Sequence, residues 1–129
     1  MALQIDLRPH ESLIVGDSVI RNDKRETTLF IETQERVMRG RDVMQEDEAN
    51  TPCKRLYLCV QMMYLSTDPA PYEDVFRQIA TPLMRDVPDL RRQILDIIDE
   101  LSVPDHYRAL RACRDLIKAE AALLQKAGT

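Results

Sequence analysis

The chain has 129 residues, 44% of them hydrophobic and 31% charged, a composition that suits one compact domain or two small lobes and not a disordered chain. Its formal net charge is −4, which argues against broad, nonspecific nucleic-acid binding and leaves room only for a local basic face. No apolar run approaches the roughly 20 residues of a membrane span, and Met1 to Asp6 lacks the basic and apolar regions of a secretory signal, so a cytoplasmic protein with no membrane partner is expected.

The first forty residues read as short strands. Leu3, Ile5 and Leu7 alternate with polar residues until Pro9 ends the run. Ser12–Val15 and Ser18–Arg21 flank Gly16-Asp17, a pair suited to a tight hairpin. Asn22-Asp23-Lys24 marks a second turn, Arg25–Thr33 is rich in β-branched and aromatic residues, and Arg36–Arg39 is a further short strand before Gly40. The reading is an antiparallel meander of about five strands whose open edges invite pairing with another chain or with the second half of this one.

The pattern changes after Gly40. Asp42–Glu48 is acidic and suits a short helical turn. Thr51-Pro52 is a helix start, with threonine to accept free N–H groups and proline fitted to the first helical position. From Cys53 to Leu65 the apolar residues fall at helical spacing but cover nearly every side, which predicts a central buried helix or a subunit contact; a strand is the competing reading. Asp68–Pro71 is a linker or cap. Tyr72 to about Ala80 is helical, and Pro82 is expected to kink or break it. Pro88 opens the next helix, with Leu90, Ile94, Leu95, Ile97, Ile98 and Leu101 on its apolar face. Val103-Pro104-Asp105 opens the last, which runs to a capping Gly128. The fold class is therefore α+β: a β-rich N-terminal lobe over residues 1–48, then a bundle of about four helices over 49–129.

Little in the chain supports catalysis. His10 and His106 have no neighbouring nucleophile, the three glycines are too scattered to cradle phosphate, and no catalytic residue, cofactor or metal is assigned. Cys53, Cys59 and Cys113 lack CxxC spacing and read as reduced, buried thiols. The acidic run Asp42, Glu46, Asp47 and Glu48 fits no calcium loop and reads as a solvated turn.

Two basic clusters stand out on an acidic chain. Arg36, Arg39 and Arg41 lie close together, and Lys54-Arg55 opens the central helix, whose free N–H groups favour phosphate; Tyr57 follows two residues later and Arg25 precedes them. Arginines near an aromatic ring suit single-stranded RNA, with guanidinium groups on phosphate and bases on rings. Salt bridges to the adjacent acidic run are the plainer alternative. The second cluster, Arg108, Arg111, Arg114 and Lys118, reads as the solvated face of an amphipathic helix.

The order Val37-Met38-Arg39-Gly40-Arg41-Asp42, Ala49-Asn50-Thr51-Pro52, Arg55-Leu56-Tyr57 and Val60-Gln61-Met62-Met63-Tyr64-Leu65 resembles the FlbT family of flagellin-synthesis repressors. The lead Leu3-x-Ile5-x-Leu7-x-Pro9 with Val19-Ile20-x-Asn22-x-x-Arg25 is similar too, as is the end with Tyr107-x-Ala109-Leu110 and Leu116-Ile117. The chain departs from the family pattern at Gly16-Asp17, where Asn-Gly is expected, and over Asp68–Pro71. The resemblance implies a post-transcriptional regulator of flagellum biogenesis that acts on the 5′ untranslated region of flagellin messenger RNA, altering its stability or translation in either direction. It carries over no catalytic residues. The alternative is a protein-interaction module that acts through flagellin, a flagellar chaperone, another regulator or a second copy of itself.

Overall fold

The structure is a computed structural model that describes residues 3–32, 35–103 and 106–128. The chain divides after Val43 into two compact units, one of strands and one of helices.

The strand unit contains β1 (Leu3–Leu7), β2 (Ser12–Val15), β3 (Ser18–Arg21), β4 (Thr27–Ile31) and β5 (Val37–Arg39), all antiparallel. They form two small sheets, β1-β4 and β3-β2-β5, rather than one run of sequential neighbours. Only β2 and β3 pair as consecutive strands, across Gly16-Asp17. Gly16 has φ +58° and is the one positive φ in that turn, the pattern of a II′ turn, whose twist matches the strands it joins. The alternation in β1 places Ile5 and Leu7 inward, where they join Leu13, Val15, Leu29, Ile31 and Val37 in one core fed by both sheets.

A core of this size supplies little stabilisation, and polar cross-braces add to it. Asn22 Nδ2 donates to the carbonyls of Leu7, Arg8 and Arg25 at 3.4, 2.9 and 2.8 Å, tying the end of β1 to the turn between β3 and β4. Gly40 lies so near β2 that a Cβ there would stand 2.9 Å from Ser12 Cβ and 3.1 Å from the Ser12 carbonyl oxygen.

The helical unit comprises α1 (Pro52–Leu65), α2 (Ala70–Asp86), α3 (Arg91–Leu101) and α4 (Tyr107–Ala127). The α1 segment is the helix expected from its spacing and not the competing strand. It buries Cys53, Leu56, Tyr57, Cys59, Val60, Gln61 and Met63 and packs against both α2 and α4, which explains why its sequence is apolar on nearly every side. Helix α2 does not break at Pro82 but continues through it to Asp86. Proline there removes one backbone bond, to the carbonyl of Gln78, and burial of Phe76, Ala80 and Leu83 on either side keeps the helix intact. A 3-10 turn, Pro88–Leu90, leads into α3. The expected start of the last helix lies partly outside the described residues. Gly128 ends α4 with φ −82°, so it caps without the left-handed conformation expected of a terminal glycine.

Helices α1 and α4 run antiparallel, because contacts at both ends join opposite termini. Thr51, at the start of α1, donates its hydroxyl to Glu120 near the end of α4. Tyr64, at the end of α1, packs on Tyr107 at the start of α4 with ring centroids 5.7 Å apart.

Candidate nucleic-acid interface

The residues expected to form an RNA face are divided between the two units. Arg25 follows β3 and Arg36 precedes β5, and both side chains are exposed. Their carbonyls serve the fold: that of Arg25 accepts from Asn22, and that of Arg36 from the Gly16 N–H at 2.8 Å. Arg41 is exposed in a 3-10 turn, Gly40–Asp42, which begins directly after β5. The strand therefore does not continue past Gly40, and Arg39 and Arg41 share no strand face.

Arg39 is half-buried and engaged. Its Nη1 donates to the Asp6 carbonyl at 2.8 Å and to Glu11 Oε1 at 3.0 Å, which braces β5 against β1 and the loop before β2. Breaking that brace to contact phosphate would leave the Glu11 carboxylate, itself only 9% exposed, without its cation.

In the helical unit Arg55 is exposed, while Lys54 is half-buried and directs Nζ to Asn50 Oδ1 at 3.3 Å. Tyr57 is only 3% exposed, so its ring belongs to the helical core and presents no face on which a base can stack. Sequence spacing did not reveal this because nearly every side of α1 is apolar. Among the described residues, no ion pair involves Arg25, Arg36, Arg41 or Arg55, and none joins the basic cluster to Glu46–Glu48. That acidic turn closes on itself, with the Gln45 N–H donating to Glu48 Oε1 at 2.9 Å.

The N-terminus of α1 already holds an anion. Thr51 caps it as expected, its hydroxyl oxygen accepting the Lys54 N–H at 3.2 Å. The carboxylate of Glu120, 7% exposed, accepts the Thr51 hydroxyl on Oε1 and the Cys53 N–H on Oε2 at 3.1 Å. A carboxylate thus occupies the position where a phosphate was expected to gain from the helix dipole. The sign of this in the sequence is a charged residue at 120, in step with Leu110, Cys113 and Leu116 on an otherwise apolar face.

The three cysteines are free and buried. Burial pushes the Cys113 thiol up to about 12 and also raises Cys59. Cys53 is raised by burial first and by the Glu120 charge second. All three stay protonated and poorly nucleophilic near neutral pH. Among the described residues, no group of three or more His, Cys, Asp and Glu is arranged to hold a metal ion, and no helix is long and apolar enough to cross a membrane.

The family model described as "Flagellar protein FlbT" matches residues 3–124. The chain is 39% identical over 126 residues to the "Probable flagellum biosynthesis repressor protein FlbT" of Rhodopseudomonas palustris (strain TIE-1), covering 98% of this chain and 100% of that one. It is 38% identical to the "Probable flagellum biosynthesis repressor protein FlbT 1" of Bradyrhizobium diazoefficiens, over 95% of this chain and 85% of the relative. It is 30% identical to the "Flagellum biosynthesis repressor protein FlbT" of Caulobacter vibrioides (strain ATCC 19089), over 93% and 87%. No solved structure matches.

Proposed function

The chain belongs to the FlbT family, and from that membership we propose that it regulates flagellum biogenesis after transcription, by binding the 5′ untranslated region of flagellin messenger RNA and changing its stability or translation. The observation that carries this reading is the family match across nearly the whole chain, together with relatives named as flagellum biosynthesis repressors. The structure contributes cations to support it: Arg25, Arg36 and Arg41 on the strand unit and Arg55 on the helical unit are exposed and form no ion pair among the described residues. Each is able to neutralise a phosphate, releasing counterions from the RNA, so affinity falls as salt rises.

Filter binding of a flagellin leader RNA tests this. The expected result is salt-dependent binding that weakens about tenfold or more in Arg36→Glu/Arg41→Glu/Arg55→Glu while the circular dichroism spectrum stays unchanged. Salt-insensitive binding, or no binding by the wild-type chain, would refute it.

Exposed apolar groups favour a second reading, a protein-interaction module. Val19 in edge strand β3 is 72% exposed and Phe30 in β4 is 62% exposed. An edge strand with apolar side chains outside suits pairing with a second copy or with a flagellin or chaperone strand. A partner that stays bound in pull-downs after ribonuclease treatment supports this reading over the first.

A further inference from the structure

Helix α4 has a buried side and a charged side. Ala109, Leu110, Cys113, Leu116 and Glu120 are buried. Tyr107, Arg111, Arg114 and Lys118 lie on the opposite side, within roughly 60° of one another, and at about 1.5 Å per residue the row extends over about 16 Å. Arg108, Arg111 and Lys118 are exposed and Arg114 is half-buried; Asp115 is the one carboxylate among the described exposed residues of the helix. Among the described residues, Arg108, Arg111 and Lys118 enter no ion pair.

The row begins at an aromatic pair. Tyr107, 36% exposed, meets Tyr64 of α1 at 5.7 Å with ring planes tilted by 54°. Tyr64 supports the Tyr107 ring from one side, within a single unit of the fold. Arg111 follows one turn further along α4, and Lys118 two turns beyond that.

We infer that the outward face of α4 is a single-stranded RNA contact surface, with phosphates following Arg111 and Lys118 and a base stacking on Tyr107. The inference rests on the RNA reading above and adds to the exposed arginines named there a second contact surface that the sequence did not suggest. A single strand fits better than a duplex because a partly exposed ring beside a linear row of cations matches unpaired bases on a flexible backbone. A protein partner fits less well, because apart from Tyr107 the row is made of charged side chains, with Ala121 and Ala122 beyond them and no large aliphatic side chain to bury.

Fluorescence anisotropy on the full chain, with a labelled flagellin leader and a labelled oligouridylate, decides it. Arg111→Glu/Lys118→Glu is expected to weaken binding at least tenfold and to lower the salt slope by about 1.4, the share of two phosphates on a single strand. Tyr107→Leu, which keeps an apolar contact to Tyr64, is expected to weaken binding about tenfold with little change in that slope. If the wild-type chain binds RNA and both variants bind as tightly, the inference is overturned and the RNA reading survives. If the wild-type chain binds neither probe, both fall. A double variant that keeps its RNA affinity but loses a ribonuclease-resistant protein partner also overturns it, since the face then serves a protein.

Discussion

A carboxylate set among Leu110, Cys113 and Leu116 has to find donors or be expelled from the fold, and Glu120 finds two at the first turn of α1. Glu120→Ala strands the Thr51 hydroxyl and the Cys53 N–H and leaves a void. Urea denaturation is expected to show a loss of about 2–4 kcal/mol. Glu120→Gln, which retains one acceptor and the volume, is expected to lose less. The Thr51-Pro52 cap was legible because its chemistry lies within four residues of sequence. The charge of Glu120 on an apolar face marks its burial, but its pairing with Thr51 was not legible, because the partners stand 69 residues apart. Tyr57 and Arg39 illustrate the same limit: one is consumed by the core and the other by a brace to Asp6 and Glu11, and both fates depend on contacts distant in sequence.

At the scale of the element, every strand and helix with a strong period was visible, since alternation in β1 and the apolar stripes of α3 and α4 are local properties. The pairing of β1 with β4 was not visible, because twenty or so residues of turn and hairpin intervene and edge preferences do not name a partner. Pro82 marks a kink or a break by its chemistry, and the break does not occur because packing on both sides outweighs one missing backbone bond. Pro82→Ala is therefore expected to restore the bond to the Gln78 carbonyl and raise stability by about 1–2 kcal/mol, read as a higher urea midpoint with an unchanged m-value. A loss of stability would mean that the half-buried ring contributes more by packing than it costs in hydrogen bonding.

For the whole molecule, net charge concealed local basic faces: a chain at −4 still presents exposed arginines on the strand unit and exposed Arg108, Arg111 and Lys118 on α4. The buried thiols also set a limit on alkaline tolerance. Below pH 9 the thiols are protonated in both folded and unfolded chains. Above it the unfolded chain releases protons that the folded chain retains, so stability falls with rising pH until the folded value is passed, about 12 for Cys113. The slope is about 1.4 kcal/mol per pH unit for each such thiol. Urea midpoints at pH 8 and pH 10.5 are expected to drop accordingly, and Cys113→Val to show a slope smaller by one proton. The two tethers between α1 and α4 carry a different consequence. Helices held only by aliphatic side chains can slip past each other by a turn at modest cost, but here a carboxylate locks one extremity and a pair of rings the other, so sliding must undo both.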